Sequence, residues 1–163
     1  YNAPIFVNDT AGIRISEIRS NARKLAKEMG GLGIIIIDYL QLITGSKGEN
    51  RQQIVSEISR ELKILAKDLK VPVIALSQLS RAVEQRQEKR PMLSDLRESG
   101  SIEQDADIVA FLYREAYYQK EHADSQELNN VTELILEKNR HGSLGTVKLY
   151  FHKEYTKFSS VEG

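Results

Sequence analysis

The sequence predicts an α/β fold with a mostly parallel sheet, flanking helices and a hairpin at one edge. Short apolar runs predict three strands, and runs without alternation are typical of strands buried on both faces of a parallel sheet. These runs are residues 33–38, 71–76 and 107–113. Residues 52–70 predict a long amphipathic helix between the first two runs, which favours a parallel crossover. Two further β-rich segments flank a glycine-containing turn and predict the hairpin. They are residues 132–138 and 146–152.

Weaker signals fill the rest of the chain. Residues 4–8 predict a short strand, and a helix is expected to begin at the N-cap Ser16 and to end at Gly30. A second, short helix is expected to begin at Ser101, because Ser101 and Gln104 have the spacing of a capping box. The polar segments predicted to be loops are residues 44–51, 79–100 and 115–130. No repeat, linker or second domain is visible, so we expect residues 1–163 to form one domain.

The composition argues against several classes of protein. The 163 residues include 23 basic and 23 acidic side chains, so the strongly basic balance typical of DNA-binding domains is missing. There is no cysteine, which excludes disulfides and thiolate metal sites and fits a reducing compartment. No apolar stretch approaches the ~20 residues of a membrane-spanning helix, and the first residues lack a signal-peptide pattern. The sequence therefore predicts a cytoplasmic protein that is not bound to a membrane.

Asp38 directly follows the first apolar run. Ligands of parallel α/β sheets bind beyond the carboxyl ends of the strands, and a carboxylate at that point is the Walker B arrangement. Such a carboxylate holds Mg²⁺, usually through water, while the ion neutralises phosphates during transfer. The alternative is that Asp38 only begins a turn or caps a helix, because four apolar residues before an aspartate are common.

Gln78 follows the second apolar run, so a parallel crossover brings it to the same edge of the sheet as Asp38. Its amide could contact a γ-phosphate or orient the attacking water, and so report the nucleotide state to the next loop. The alternative is a surface amide in a turn. The loop itself, residues 79–100, mixes both charges and is typical of solvated surface.

Lys138 and Arg140 lie at the predicted hairpin turn. A basic residue on a turn could reach a neighbouring subunit's phosphates as an arginine finger, although most such residues only make the turn hydrophilic. The three histidines show no ligand spacing, so no metal site other than the magnesium site is predicted.

The phosphate-binding P-loop pattern G-x-x-x-x-G-K-[ST] is absent from the sequence. The nearest approximation, residues 45–48, follows the wrong strand and lacks the required spacing. We therefore expect this chain by itself to be inactive, because it cannot hold ATP in the ordinary way.

Several motifs resemble those of bacterial replicative DNA helicases of the DnaB type, whose motor is a RecA-like ATPase. Their order and intervals are similar, and the resemblance covers nearly the whole chain. The motifs are residues 36–42 (IIDYLQL), 51–60 (RQQIVSEISR), 73–81 (VIALSQLSR), 95–107 (DLRESGSIEQDAD) and 138–140 (KNR). The resemblance implies a RecA-like fold that is incomplete at its N-terminal side, since the family's P-loop and N-terminal helical domain are not among these residues.

The resemblance also implies roles in ATP hydrolysis. Asp38 corresponds to the Walker B magnesium carboxylate, and Gln78 to the γ-phosphate sensor. Lys138 and Arg140 correspond to the basic pair that a neighbouring subunit inserts into the ATP site. The implied cofactors are therefore ATP and Mg²⁺.

Three further residues, Arg97, Glu98 and Gly100, correspond to the loop that lines the ring's central channel and contacts single-stranded DNA. A hexamer supplies six such loops, so modest contacts from a neutral subunit add up. The resemblance implies a homohexamer that moves along single-stranded DNA at the replication fork and works with primase and a helicase loader.

Two other functions remain open at the level of sequence. One is a non-hydrolysing interaction module that keeps a RecA-like fold only as a docking surface. The other is a RecA-like recombinase or regulatory ATPase, since this fold hosts many functions. Residues 95–107 favour the helicase over the recombinase, because their similarity is to helicases.

Overall fold

The computed structural model describes residues 3–45, 50–115, 118 and 130–161; within these, the side chains of residues 97–100 are not described. The chain divides into two compact units, Tyr1–Gln78 and Leu79–Gly163. Within the described ranges, no helix is both long and apolar enough to cross a membrane.

The described part of the first unit contains two α-helices and two short parallel strands. They are α1 (Ile15–Met29), β1 (Ile35–Ile37), α2 (Arg51–Leu69) and β2 (Val73–Ala75), with a 3-10 turn at Leu40–Leu42 after β1. Strand β1 pairs with β2 in parallel, with Ile36 opposite Ile74. The predicted crossover is thereby confirmed.

The helix ends follow from local chemistry. Helix α1 begins at Ile15, because the backbone N–H of Arg14 donates to the Glu17 carboxylate at 2.9 Å. The expected N-cap, Ser16, was therefore wrong by two residues and lies in the first turn. The helix ends as predicted at Gly30, whose φ of 72° is easily adopted by glycine. At the start of α2, the Asn50 side chain accepts a hydrogen bond from the backbone N–H of Gln53 at 2.9 Å.

Helix α2 supplies half of the buried hydrophobic residues that are described in the first unit. The most buried members of its apolar stripe are Val55, Ile58, Leu62 and Leu65. The prediction that β1 and β2 are buried on both faces is wrong for this chain, since Ile36 is 63% exposed and Ile74 48% exposed. Among the described residues this sheet has two strands, and Ile36 and Ile74 lie on the face that those residues leave open.

The short strand expected at residues 4–8 is not formed. Ile5 and Val7 are largely exposed, and no other described segment pairs with theirs. A strand needs a partner for its backbone groups, so apolar composition alone was a poor guide here.

As far as its residues are described, the second unit is a four-stranded antiparallel sheet preceded by short helices. Its elements are α3 (Ala82–Gln85), a 3-10 helix (Leu93–Ser99), α4 (Gly100–Asp105), β3 (Ile108–Tyr113), β4 (Val131–Asn139), β5 (Gly145–His152) and β6 (Lys157–Ser160). The strand order is β3-β4-β5-β6. The hairpin β4-β5 confirms the prediction, whereas β6 was not foreseen. The expected loops at residues 44–51 and 115–130 fall partly outside the described residues.

One face of the antiparallel sheet holds the core of the second unit. Its buried members are Leu96, Val109, Phe111 and Ile135. Strand β3 alternates between buried and exposed residues, and Leu112 is 60% exposed. The prediction that this strand is buried on both faces is therefore wrong, because the described helices of this unit cover one side only.

Candidate functional site

The carboxyl ends of β1 and β2 meet at one edge of the parallel sheet. Beyond the strands, the backbone N–H of Leu76 donates to the carbonyl of Ile37 at 2.9 Å, and the N–H of Leu40 donates to the carbonyl of Leu76 at 2.9 Å. These bonds extend the parallel pairing past Asp38. Asp38 and Gln78 therefore leave the sheet at the same edge, and both are exposed.

Gln41 bridges the two strand ends. Its Nε2 donates to Oγ of Ser77 at 3.1 Å and to the carbonyl of Gln78 at 3.2 Å. Its Oε1 accepts a hydrogen bond from the backbone N–H of Gln78 at 3.3 Å. One side chain thus binds both backbone polar groups of Gln78, which fixes the segment after β2 against the segment after β1.

Gln41 is itself held in place. Its carbonyl accepts a hydrogen bond from Nη2 of Arg51, at the start of α2, at 2.6 Å. The neighbouring Leu40 and Ile43 are 3% and 2% exposed, so they anchor the 3-10 turn in the core. The sequence does not identify Gln41 or Arg51 as a functional residue. The available signal was a polar residue inside the apolar segment 39–43.

The chemistry of this edge fits a magnesium ion that arrives with phosphates. Among the described residues, no group of three or more histidine, cysteine, aspartate or glutamate side chains could hold a metal ion. Nucleotide-bound Mg²⁺ needs only one or two protein carboxylates, because phosphates and water supply its other ligands. Asp38, a single exposed carboxylate at a strand end, fits that requirement.

Lys138 and Arg140 lie together in the second unit, at the end of β4. Both bind backbone carbonyls at the C-terminal end of α4. Lys138 Nζ donates to the carbonyl of Glu103, and Arg140 Nη2 donates to the carbonyl of Gln104 at 2.9 Å. Arg140 Nη1 also donates to Oδ1 of Asp107 at 3.1 Å. The last carbonyls of a helix lack partners within it and carry partial negative charge, so they attract cations.

The predicted DNA-contacting residues lie where the 3-10 helix Leu93–Ser99 passes into α4. Arg97 and Glu98 belong to the 3-10 helix, and Gly100 is the first residue of α4. Their side chains are outside the described part of the structure. Their role in DNA binding therefore stays a prediction.

An ion pair between the partly exposed Arg86 and the buried Asp95 organises the segment that precedes these residues. Asp95 is 6% exposed, and its Oδ2 accepts from Nη2 of Arg86 at 2.7 Å and from the backbone N–H of Met92 at 2.8 Å. The carbonyl of Asp95 accepts from the N–H of Ser80 at 3.1 Å. The expectation of a solvated charged surface overlooked this pair, because a mixed-charge segment does not reveal which charges meet.

Comparison with known proteins identifies close relatives over the whole chain. The family model described as "DnaB-like helicase C terminal domain" matches residues 1–160. The replicative DNA helicase DnaC of Bacillus subtilis (strain 168) is 64% identical over 163 residues, which are 99% of this chain and 35% of that protein. The replicative DNA helicase DnaB of Geobacillus stearothermophilus is 63% identical, with the same coverage. The chain thus spans about a third of the length of these relatives.

Two solved structures share the fold. One, described as an ATPase domain, matches with a TM-score of 0.90 and 50% identity, over 99% of this chain and 56% of that one. The other, described as "The Structure Of A DnaB-Like Replicative Helicase And Its Interactions With Primase", matches with a TM-score of 0.89 and 50% identity, over 99% of this chain and 38% of that one. The expectation of a RecA-like helicase fold is thereby confirmed.

Proposed function

The chain belongs to the family of DnaB-like helicase C-terminal domains, and on this premise we propose that residues 1–163 are part of the motor domain of a replicative DNA helicase. In the proposed function, ATP hydrolysis drives movement along single-stranded DNA and unwinding of the duplex by a homohexameric ring in the cytoplasm. The proposed partners are single-stranded DNA, further copies of the same protein, primase and a helicase loader. A primase partner is supported by the description of one similar structure.

One structural observation carries the nucleotide part of this proposal. Asp38 and Gln78 leave adjacent parallel strands at the same edge of the sheet, and the Gln41 side chain ties the two strand ends together. This is the edge at which ligands bind in parallel α/β sheets. Both side chains are exposed there, as groups that meet a bound nucleotide must be.

The residues of this edge have distinct proposed tasks. Asp38 holds the Mg²⁺ of the bound nucleotide, and that ion neutralises charge on the phosphates during transfer. The carboxamide of Gln78 can both donate and accept hydrogen bonds. It can therefore accept a hydrogen bond from the attacking water while it donates one to a phosphate oxygen.

Residues of the second unit complete the proposal. Lys138 and Arg140 act on the nucleotide of a neighbouring subunit, where positive charge stabilises the transferring phosphoryl group. Arg97, Glu98 and Gly100 contact the backbone of single-stranded DNA. Contacts to phosphate give affinity without sequence preference, which suits a protein that must move along any sequence.

The test uses a full-length helicase that carries this chain, with ATP hydrolysis measured with and without single-stranded DNA. Asp38→Asn should nearly abolish hydrolysis and leave ring assembly intact. The control is Asp68→Asn, at a carboxylate that is 42% exposed and paired with Arg23 on the surface of the first unit. If the unsubstituted full-length protein binds partners but hydrolyses no ATP, the proposal of an enzyme is contradicted and a non-hydrolysing interaction module is favoured. Full activity in Asp38→Asn would contradict the assigned site.

A further inference from the structure

The carboxamide of the half-buried Gln41 binds the backbone on both sides of a single residue, Gln78. Its oxygen accepts from the backbone N–H of Gln78 at 3.3 Å, while its nitrogen donates to the backbone carbonyl of the same residue at 3.2 Å. The nitrogen also donates to Oγ of Ser77 at 3.1 Å. Both polar atoms of the carboxamide are thus used on the two residues that follow β2.

These bonds constrain the direction of the Gln78 side chain. The N–H of Gln78 belongs to the peptide plane before its Cα, and the carbonyl belongs to the plane after it. Because peptide planes are rigid, fixing both planes fixes the two backbone dihedral angles between them. The direction of the Cα–Cβ bond follows from those angles. Through these backbone contacts, Gln41 therefore sets the direction in which the Gln78 side chain leaves the chain.

The orienting residue is rigid enough for this task. Arg51 donates to the carbonyl of Gln41 at 2.6 Å, and the N–H of Leu40 donates to the carbonyl of Leu76 at 2.9 Å. Leu40, which precedes Gln41, and Ile43, two residues after it, are both buried. A side chain on a packed, hydrogen-bonded element holds its partner more precisely than one on a loose loop.

We propose that Gln41 is a positioning residue for ATP hydrolysis, which holds the backbone of Gln78 so that its carboxamide is presented at the edge occupied by Asp38. This inference rests on the proposed function, because it needs Gln78 to act on the nucleotide. The expected signature is a lower kcat with little change in the affinity for nucleotide. In this proposal Gln41 acts through Gln78 and not on the phosphates, and misplacing a reacting group by about 1 Å costs on the order of 100-fold in rate.

The first test compares Gln41→Met with the parent in the full-length ring. Methionine has nearly the same length but cannot make the three hydrogen bonds. We expect kcat to fall by roughly 10- to 100-fold while the affinity for an ATP analogue changes less than about threefold. The control is Gln52→Met, at an exposed glutamine in the first turn of α2, and it should behave like the parent.

A double-mutant cycle separates positioning from a general structural role. Once Gln78→Ala has removed the side chain that Gln41 orients, adding Gln41→Met should lower kcat no further. A merely structural role would lower kcat by the same factor in both backgrounds, and that result would overturn the inference. Unchanged kcat in Gln41→Met would overturn it as well.

Failure of the proposed function gives a different result. In that case Gln78→Ala alone leaves kcat unchanged, and Gln41 loses the residue that it is proposed to position. Thermal unfolding and ring assembly are measured for every variant. If Gln41→Met does not assemble, Gln41→Asn replaces it in the same cycle. Asparagine keeps the amide but is one methylene too short to reach both backbone groups of Gln78.

Discussion

The guanidinium of Arg140 is paired with the carboxylate of Asp107, with Nη1 and Oδ1 3.1 Å apart. Its Nη2 is bound to the carbonyl of Gln104, so the side chain lies against the C-terminal end of α4. The prediction from sequence was a side chain at the hairpin turn, reaching outward. Both members of the pair are more than 40% exposed, and exposed pairs contribute only about 0–1 kcal/mol. In the proposed role, breaking the pair with Asp107 therefore costs little compared with what an arginine that stabilises phosphoryl transfer contributes.

The contrasting pair Arg86–Asp95 predicts a large effect on stability. We expect Arg86→Met to lower the free energy of unfolding by about 3 kcal/mol, because it leaves the buried carboxylate of Asp95 without its counter-charge. Urea denaturation of the chain measures this. The matched control is Arg23→Met, which breaks an exposed pair with Asp68 and should cost less than about 1 kcal/mol. Equal effects of the two substitutions would show that the burial of Asp95 is unimportant.

Tyr113 predicts a pH dependence of stability. Burial raises the pKa of its hydroxyl above the usual 10.0, and the charges of Glu115 and Tyr118 add to the increase. The fold therefore favours the neutral form. The stability that the neutral Tyr113 hydroxyl contributes is fully present below the unfolded-state pKa. It is lost as the pH rises through the higher pKa of the folded state.

The substitution Tyr113→Phe should make the loss of stability above about pH 10 less steep. The measurement is chemical denaturation at a series of alkaline pH values. Tyr155→Phe, at a tyrosine that is 74% exposed, is the control and should keep the parent's slope. Parallel curves for the parent and Tyr113→Phe would contradict the role of burial at this position.

The sequence predicted the proposed nucleotide edge better than it predicted burial. Parallel pairing of β1 with β2 and the position of Asp38 and Gln78 followed from chain order, because a helix between two strands returns the chain in the same direction. Burial of Ile36 and Ile74 did not follow. Apolar residues indicate that a face of the sheet favours contact with another surface. The described residues provide no such surface over the face that carries Ile36 and Ile74.

Contacts between residues that are distant in sequence could not be predicted from the sequence either. Nothing in the sequence around Gln41 indicates that its amide binds Gln78, which is 37 positions further along. Likewise, β6 is a short strand with little apolar signal, and it forms because β5 offers an edge with unpaired backbone groups. Both features depend on the folded arrangement, so propensity and periodicity do not reveal them.

We predict that this chain alone shows no meaningful ATPase activity. The P-loop pattern is absent from its sequence, and the backbone N–H groups and lysine of that loop normally bind the phosphates. Steady-state phosphate release in the presence of single-stranded DNA is the measurement. Turnover equal to that of a full-length helicase, and sensitive to Asp38→Ala, would contradict this expectation.

Arg97→Ala in the full-length ring should weaken binding to single-stranded DNA and leave nucleotide binding nearly unchanged. If Arg97 neutralises a phosphate, the slope of log affinity against log salt concentration becomes shallower by roughly 0.7. Fluorescence anisotropy at several salt concentrations measures the slope. Lys24→Ala is the control, because its side chain on α1 is 77% exposed and far along the chain from residue 97. An unchanged slope in an assembled ring would rule out a phosphate contact for Arg97.

Arg140→Ala should nearly abolish hydrolysis while ATP still binds, because an arginine finger contributes on the order of 10³ or more in rate. That factor corresponds to about 4 kcal/mol of activation free energy. This is more than the free energy that the exposed ion pair with Asp107 contributes. The sharper measurement mixes two inactive variants, Asp38→Ala and Arg140→Ala, under conditions in which rings exchange subunits. Some interfaces of a mixed ring then combine an intact Asp38 from one subunit with an intact Arg140 from its neighbour.

Those interfaces should recover ATP hydrolysis if Arg140 acts on the neighbouring subunit, whereas action within its own subunit leaves every site broken. Mixed rings that form and stay inactive at all mixing ratios would therefore remove the support for action in trans. Because duplex unwinding could require several consecutive working sites in the ring, the measured quantity is ATP hydrolysis and not unwinding. Asp107→Asn, mixed with Asp38→Ala in the same way, is the matched control. Asp107→Asn keeps Arg140 and weakens the ion pair that holds it. The mixed rings should therefore hydrolyse ATP at a rate at least proportional to the share of Asp107→Asn subunits, each of which has an intact Asp38.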